Sequence, residues 1–298
     1  MSAAPPLPVP GTLIAGRYLL ESHLGEGATG AVFRARRNDG LPVAIKVLHG
    51  EALARRDLRR RFEREATALA AITHPHVIGV LEFGELEGAL FLVMELAQGG
   101  TLDALLARER LAPEMALAIA DQLLSGLAFA HAHGVLHRDL KPDNVVLARL
   151  PDGGLCVKLL DFGLAKFTDR DAWGGGGSAL TEQGAIMGTP AYMAPEQVFG
   201  PTVDARTDVY GAGVVLFEML TGSWPFVAEE LTDLFRAHAI EPVPSLASAR
   251  PELEARPELE AVVQRAMAKS PADRFADARE MRVALAKVPR PAARIVAR

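Results

Sequence analysis

The chain has 298 residues, of which 49% are hydrophobic and 23% charged, and a formal net charge of −5. It can therefore bury a sizeable core as one or two domains, and it carries no basic footprint for nucleic acid or an anionic membrane. Its single cysteine, Cys156, excludes a disulfide framework or a cysteine-based zinc site within one chain and favours a reducing, cytoplasmic setting.

Residues 1–16, "MSAAPPLPVPGTLIAG", lack the basic-then-apolar order of a secretory signal, and their prolines predict a disordered tail. From 17 to 97 the pattern is β-like. "RYLLESHL", "GAVFRARR", "LPVAIKVL", "VIGVLEFGE" and "ALFLVMEL" are apolar runs divided by Gly, Asn-Asp-Gly or Glu-Gly turns. One helix interrupts them, "RRDLRRRFEREATALAAI", with Leu58, Phe62, Leu69 and Ile72 near helical spacing. After Gly99-Gly100 the chain changes to long helical segments, Pro113 to His133, Asp204 to Leu220 and Pro257 to Ala268. The most apolar of these, "MALAIADQLLSGLAFAHAHGVL" and "VYGAGVVLFEML", are interrupted by Asp121 and Gln122 or are too short to span a bilayer, and read as buried helices. The predicted organisation is an α+β chain of two lobes, 17–97 and 98–288, with a C-terminal tail at 289–298 and no internal repeat.

Four segments carry candidate chemistry. "LGEGATGAV" contains GxGxxG at Gly25, Gly27 and Gly30. A dinucleotide site needs a helix directly after the glycines; two β-rich runs follow instead, so the glycines belong to a hairpin that can lie over a phosphate chain. "VAIK" sets Lys46 in an otherwise apolar strand, where an ammonium demands an anionic partner; Glu65, one turn before Leu69, is the candidate. "HRDLKPDN", residues 137 to 144, gathers a base, a cation and a metal-binding amide. Thirteen residues after Asn144, "VKLLDFG" begins an apolar strand that ends in Asp161-Phe162-Gly163.

With "APE" at 194–196, "TDVYGAGVVLFEMLTG" and the arginine of "SPADRF", these motifs resemble, in order and across roughly 17–288, the eukaryotic-like (bacterial Hanks-type) serine/threonine protein kinases. The resemblance implies a bilobal kinase fold that binds ATP and Mg²⁺ and phosphorylates Ser/Thr hydroxyls of protein substrates. In such a site Lys46 holds the α- and β-phosphates and is positioned by Glu65, Asn144 and Asp161 ligate Mg²⁺, Asp139 accepts the hydroxyl proton and Lys141 stabilises the moving phosphoryl group. Leu24, Gly25, Glu26, Gly27, Ala28, Thr29 and Gly30 cover the nucleotide. Val32, Ala44 and Val146 wall the adenine, Met94 guards the back of its pocket, and Glu95 to Ala97 present hinge backbone. Thr101 and Asp103 are candidates for ribose contact, helix capping being an alternative for Thr101. His137, Phe162, Leu69 and Leu81 match the family's stacked apolar spine, and Asp208, Glu196 and Arg274 its buried scaffold charges. Thr189 belongs to the acceptor site, and Asp143 and Glu218 match positions that select basic residues upstream of the target in some members, or are structural.

The segment 161–196 then reads as an activation segment, and the glycines of "FTDRDAWGGGGSALTEQG" as its flexible arm rather than a linker. Arg138 wants an anion beside the catalytic loop. Thr181, then Ser178, then Thr168 are the candidate phosphate acceptors, with Arg138, Lys166 and Arg61 as receivers. Self-association for phosphorylation in trans follows from the same reading. The competing reading is a pseudokinase scaffold, against which Lys46, Asp139, Asn144 and Asp161 are all present. The end at "KVPRPAARIVAR" fits either a kinase-only protein or a piece of a longer one.

Overall fold

The computed structural model describes residues 7–27, 30–48, 56–86, 89–150, 153–162, 190–200, 203–254 and 256–289. Two compact units divide them. The first takes the described residues up to 100 together with 132–137 and 146–162, and the second takes 101–131, 138–145 and 190–289.

In the first unit, β1 (Leu13–Ile14), β2 (Tyr18–Gly27), β3 (Gly30–Arg37), β4 (Pro42–Leu48), β5 (Val80–Leu86) and β6 (Ala89–Glu95) form a six-stranded sheet in the order β1-β2-β3-β4-β6-β5. Two-residue alternation decides its faces. Ala31, Phe33, Ala35, Val43, Ile45, Val47, Phe91 and Val93 join Ile14, Tyr18 and Leu20 in one core. The residues between them form rows across the other face: Gly25 pairs with Val32, Val32 with Lys46 and Lys46 with Leu92, while Arg34, Ala44 and Met94 form the next row. The Tyr18 hydroxyl donates to Glu82 Oε2 at 2.5 Å, joining strands far apart in the sheet order, so the sheet is curled. The helix α1 (Arg56–Ala70) packs on β5 through buried Phe62, Ala66 and Leu69. A second, three-stranded sheet combines β7 (Gly99–Thr101), β8 (Val145–Arg149) and β9 (Leu155–Leu159) in that order. Gly99 is required there, because a Cβ would lie 2.2 Å from the Leu147 carbonyl oxygen.

Two expectations are corrected in this unit. Residues 7–16 are not a disordered tail: β1 pairs with β2, Gly11 N donates to Leu20 O at 2.8 Å, and Ile14 is fully buried. A side chain inserted in the core and paired backbone outweigh the prolines. Leu81 does not join the apolar stack. The register slips between Val80 and Glu82, and such a bulge re-aims side chains, leaving Leu81 45% exposed.

The second unit is helical: α2 (Leu102–Leu106), α3 (Pro113–Ala132), α4 (Pro195–Phe199), α5 (Ala205–Thr221), α6 (Leu231–Ile240), α7 (Leu246–Ala249), α8 (Pro257–Ala266) and α9 (Ala278–Leu285). Among the described residues α3 alone is long and apolar enough to cross a membrane, yet half of its apolar window is buried and its Asp121 pairs with Arg282 of α9 at 2.9 Å. It is a core helix. At its end Gly134 takes the left-handed φ of +73° that stops a helix. The most enclosed helix is α5, buried on nearly all sides, capped by Asp204 (Oδ1 accepting from Arg206 N at 2.9 Å) and closed by left-handed Gly222. At Gly213 a Cβ would approach Met267 Cγ to 2.8 Å, so this glycine lets the end of α8 come close.

Candidate active site

Each unit brings its own set of chemical groups. In the first, β4 carries Lys46 on the sheet face opposite the core, and a buried ammonium there needs an anion. Asp161 supplies it: Lys46 Nζ lies 2.7 Å from Asp161 Oδ2, with the side chains 5% and 24% exposed. Glu65, the expected partner, stands half-buried on α1. Asp161 holds a left-handed φ of +53°, a conformation that costs a non-glycine residue energy and that surrounding packing must enforce. Next to it Phe162 is buried and stacks on His137 with ring centroids 4.6 Å apart; with buried Leu69, these members of the expected apolar stack are in the interior.

The glycine hairpin is present: Gly27 pairs with Gly30 across the turn, Ala28 and Thr29 lying outside the described residues. Its glycines differ. A Cβ on Gly30 would strike the Val47 carbonyl oxygen at 2.2 Å, so strand packing demands that glycine, whereas a Cβ on Gly25 meets nothing within 4 Å. Leu24 and Glu26 beside it are exposed. Val32, half-buried, and Ala44 and Met94, buried, share the Lys46 face of the sheet, and Val146 is buried on β8. Glu95 and Ala97 follow at the end of β6, half-buried.

The second unit holds the loop after α3. Asn144 is buried and its Nδ2 donates to the Asp139 main-chain O at 2.8 Å and to Asp139 Oδ2 at 3.2 Å, which fixes the carboxylate's direction. Lys141 Nζ stands 3.5 Å from the same oxygen. Arg138, one residue earlier, has φ +62°; its N–H donates to Asp208 Oδ1 at 2.6 Å and its carbonyl accepts from Gln197 Nε2 at 2.8 Å. Asp208 is buried, and His131 Nε2 donates to its other oxygen at 2.8 Å. The strained backbone before Asp139 is thus held from α5, α4 and α3 together. Thr101 is a helix cap, Oγ1 accepting from Ala104 N at 3.1 Å.

The scaffold charges meet as expected. Arg274 and Glu196 form a two-pronged pair at 2.7 and 2.9 Å, and Thr207 Oγ1 donates to Glu196 at 2.7 Å. Burial pushes the Glu196 carboxyl upward, but the Arg274 hydrogen bond and charge, with Thr207, outweigh it and hold the group below its usual range. Glu218 has a structural partner, since Tyr192 OH donates to it at 2.7 Å and Trp224 Nε1 donates to that hydroxyl at 2.9 Å. Burial pushes Glu218 up to about 7; the Tyr192 hydrogen bond opposes the rise, and the charges of Asp103 and Asp143 add to it.

Thr168, Ser178, Thr181, Lys166 and Thr189 lie outside the described residues, as does the glycine run. Arg61 is on α1, its side chain also outside them.

Residues 18–284 match the protein kinase domain family. The chain belongs to that family. This kinase domain is 41% identical over 281 residues to Serine/threonine-protein kinase pkn3 of Myxococcus xanthus, covering 93% of this chain and 51% of that protein. It is 38% identical over 285 residues to Serine/threonine-protein kinase PknB of Mycolicibacterium smegmatis, covering 92% of this chain and 43% of that one. The chain thus spans about half the length of the curated relatives it matches or less. Among solved structures it is similar to the Mycobacterium tuberculosis PknI kinase domain, with a TM-score of 0.72, 30% identity and coverage of 93% of this chain and 98% of that one. Its fold is the α+β protein-kinase fold, a β-rich unit and a helical one.

Membership of the family implies use of ATP, typically with Mg²⁺. Each unit offers a donor of the kind such a cation takes: in the first the Asp161 carboxylate, and in the second the Asn144 amide oxygen, its Nδ2 being committed to Asp139; both are hard oxygen ligands. Sequence reasoning passed over Lys158, which pairs with Glu95 at 2.5 Å, although a lysine in an apolar strand is the same signal that singled out Lys46. It also passed over Tyr192 and Trp224, which come to Glu218 from separate segments with no motif to connect them.

Proposed function

We propose that the chain is the catalytic domain of a serine/threonine protein kinase, transferring the γ-phosphoryl group of Mg-ATP to Ser or Thr hydroxyls of proteins. The observation that carries this reading is the loop in which Asn144 orients Asp139 beside Lys141. Phosphoryl transfer needs an aligned hydroxyl and neutralised charge more than covalent chemistry. Asp139 aligns the acceptor hydroxyl and takes its proton as the acceptor oxygen bonds to the γ-phosphorus and the bond to the β-phosphate oxygen breaks, releasing ADP. Lys141 balances charge on the moving group, and Lys46, fixed by Asp161, holds the α- and β-phosphates. A magnesium ion, when bound, would neutralise phosphate charge, held by Asp161 and Asn144. The open space beside Gly25 leaves room for the phosphates to approach the main chain, while Val32, Ala44, Met94, Val146 and the main chain of Glu95 to Ala97 enclose the base.

We infer that phosphorylation of Thr181, with Ser178 and Thr168 as lesser acceptors, activates the domain through Arg138, Lys166 and Arg61, one copy acting on another in the cytoplasm. Loss of activation in Thr181→Ala, with phosphosites mapped by mass spectrometry, supports this; full activity of an unmodified protein overturns it.

The function itself is tested by incubating the protein with labelled ATP, Mg²⁺ and a generic protein acceptor. Label is expected on Ser and Thr, and Asp139→Asn is expected to transfer about 10²- to 10⁴-fold more slowly. Equal, negligible transfer by both proteins, with nucleotide still bound, would instead identify a scaffold.

A further inference from the structure

The main chain of Glu95 to Ala97 is where the proposed function places the adenine, and the following inference rests on that reading. The Glu95 side chain is tied to β9 and to the segment before β5: its Oε1 accepts from Lys158 Nζ at 2.5 Å and from Gly79 N at 3.1 Å, while Glu95 N donates to Gly79 O at 2.9 Å. Lys158 lies on β9, the strand that leads into Asp161. The same connector that contains Gly79 also grips β9. Ile78 N donates to Leu159 O at 2.9 Å, Leu159 N to His76 O at 3.0 Å, and His76 Nδ1 to Val157 O at 3.0 Å.

These contacts form a closed ring. The segment after β6 is tied to the connector 76–79, the connector to β9, and β9 back to that segment through one ion pair. The first two links each include backbone–backbone bonds beside their side-chain ones, so among the described residues Lys158–Glu95 is the link of this ring that rests on side chains at both ends and can be cut without touching the main chain. Without the ammonium, the 39%-exposed Glu95 carboxylate retains one N–H partner and an open path to water, and the main chain it anchors loses its fixed rotation. A lysine retained solely as a surface ion pair would not change nucleotide affinity.

We propose that Lys158 is a positioning residue for the nucleotide base: through Glu95 it sets the orientation of the main-chain groups of residues 95–97 that receive the adenine. Lys158→Met is expected to weaken Mg-ATP roughly three- to five-fold in KM and in Kd by calorimetry, the range a partly shielded ion pair controls. The kcat at saturating ATP and the KM for the protein acceptor should stay unchanged. Adenosine should lose affinity by the same factor, and inorganic tripolyphosphate, which has no base, should lose none. Lys158→Arg should recover most of the loss, and adding Glu95→Gln to Lys158→Met should weaken binding no further.

Equal Mg-ATP and adenosine affinity in wild type and Lys158→Met overturns the proposal. A parallel loss for tripolyphosphate, or a fall in kcat, also overturns it, because either indicates general damage. A wild-type protein that binds neither ATP nor adenosine would remove the proposed function itself, which keeps the two failures apart.

Discussion

Two ion pairs, one in each unit, show how differently a chain can treat buried charge. At Glu196–Arg274 every valence is used: the guanidinium makes two bonds to the carboxylate, donates to the carbonyls of Ala268, Arg206 and Lys269, and lies over the Tyr210 ring at 4.7 Å, while Thr207 completes the carboxylate. Its side chains are 0% and 10% exposed. At Lys46–Asp161 one 2.7 Å contact joins the partners, the carboxylate is a quarter open, and the backbone under it is left-handed. A saturated pair has nothing left to give a ligand. The unsaturated one keeps oxygens and N–H groups available, and its cost in strain is borne by the surrounding packing.

The largest expected effect separates the pairs by function. Lys46→Met should cut phosphoryl transfer by about 10²- to 10³-fold, the size of a lost electrostatic contact to transferring phosphate, while remaining folded by circular dichroism. A Lys46→Met protein that transfers phosphate normally would make both pairs scaffold. Next, Glu196→Gln leaves Arg274 buried without its counter-charge and should cost on the order of 3–5 kcal/mol in urea unfolding. If Lys46→Met costs as much, the contrast in saturation has no energetic meaning.

The third effect is a pH dependence around the saturated pair. Tyr210, under the Arg274 guanidinium, shares a 2.8 Å hydrogen bond with His238 Nδ1, and His238 is 1% exposed. Burial, then the charge of Lys269, pushes this histidine down to about 4. Lys269 is itself lowered to about 8, first by burial and then by Arg274. As pH falls below the ordinary histidine value, the unfolded chain gains a proton that the folded chain refuses, so stability present above about 6.5 is lost progressively toward pH 4. The loss from this one group is on the order of 3 kcal/mol, and His238→Asn, which keeps an acceptor for Tyr210, should flatten that part of the melting-temperature profile. An unchanged slope would show that other groups govern the acid limb.

Sequence alone disclosed what depends on local pattern. The alternation in "GAVFRARR" marked a strand that the structure forms over the same residues, and the periodicity around Phe62 marked α1. Lys46 announced that it needed an anion, but which one was a tertiary fact; the structure gives it Asp161. Leu81 was misplaced because a one-residue slip is silent in a sequence yet turns a side chain around. The short β8 and the helix α6, whose start has no side-chain cap, gave no strong signal, whereas α9 opens on Asp277 with Glu280 three residues on, a start signal that sequence reasoning passed over. Tyr192, Trp224 and Glu218 meet from three segments, and no spacing rule links them.

The segment 7–16 matters for anyone who trims this protein. The family match begins at residue 18, so a shortened version cut there would look complete by homology. It would lack Ile14, Leu7, which packs against the same core, and the strand that pairs with Leu19. What remained would expose an unpaired β2 edge beside an apolar hole, the combination that invites chains to stick to one another. The working boundary for an expression clone therefore lies at or before Leu7, and poor solubility of a version starting at Tyr18 would reflect the cut rather than the kinase.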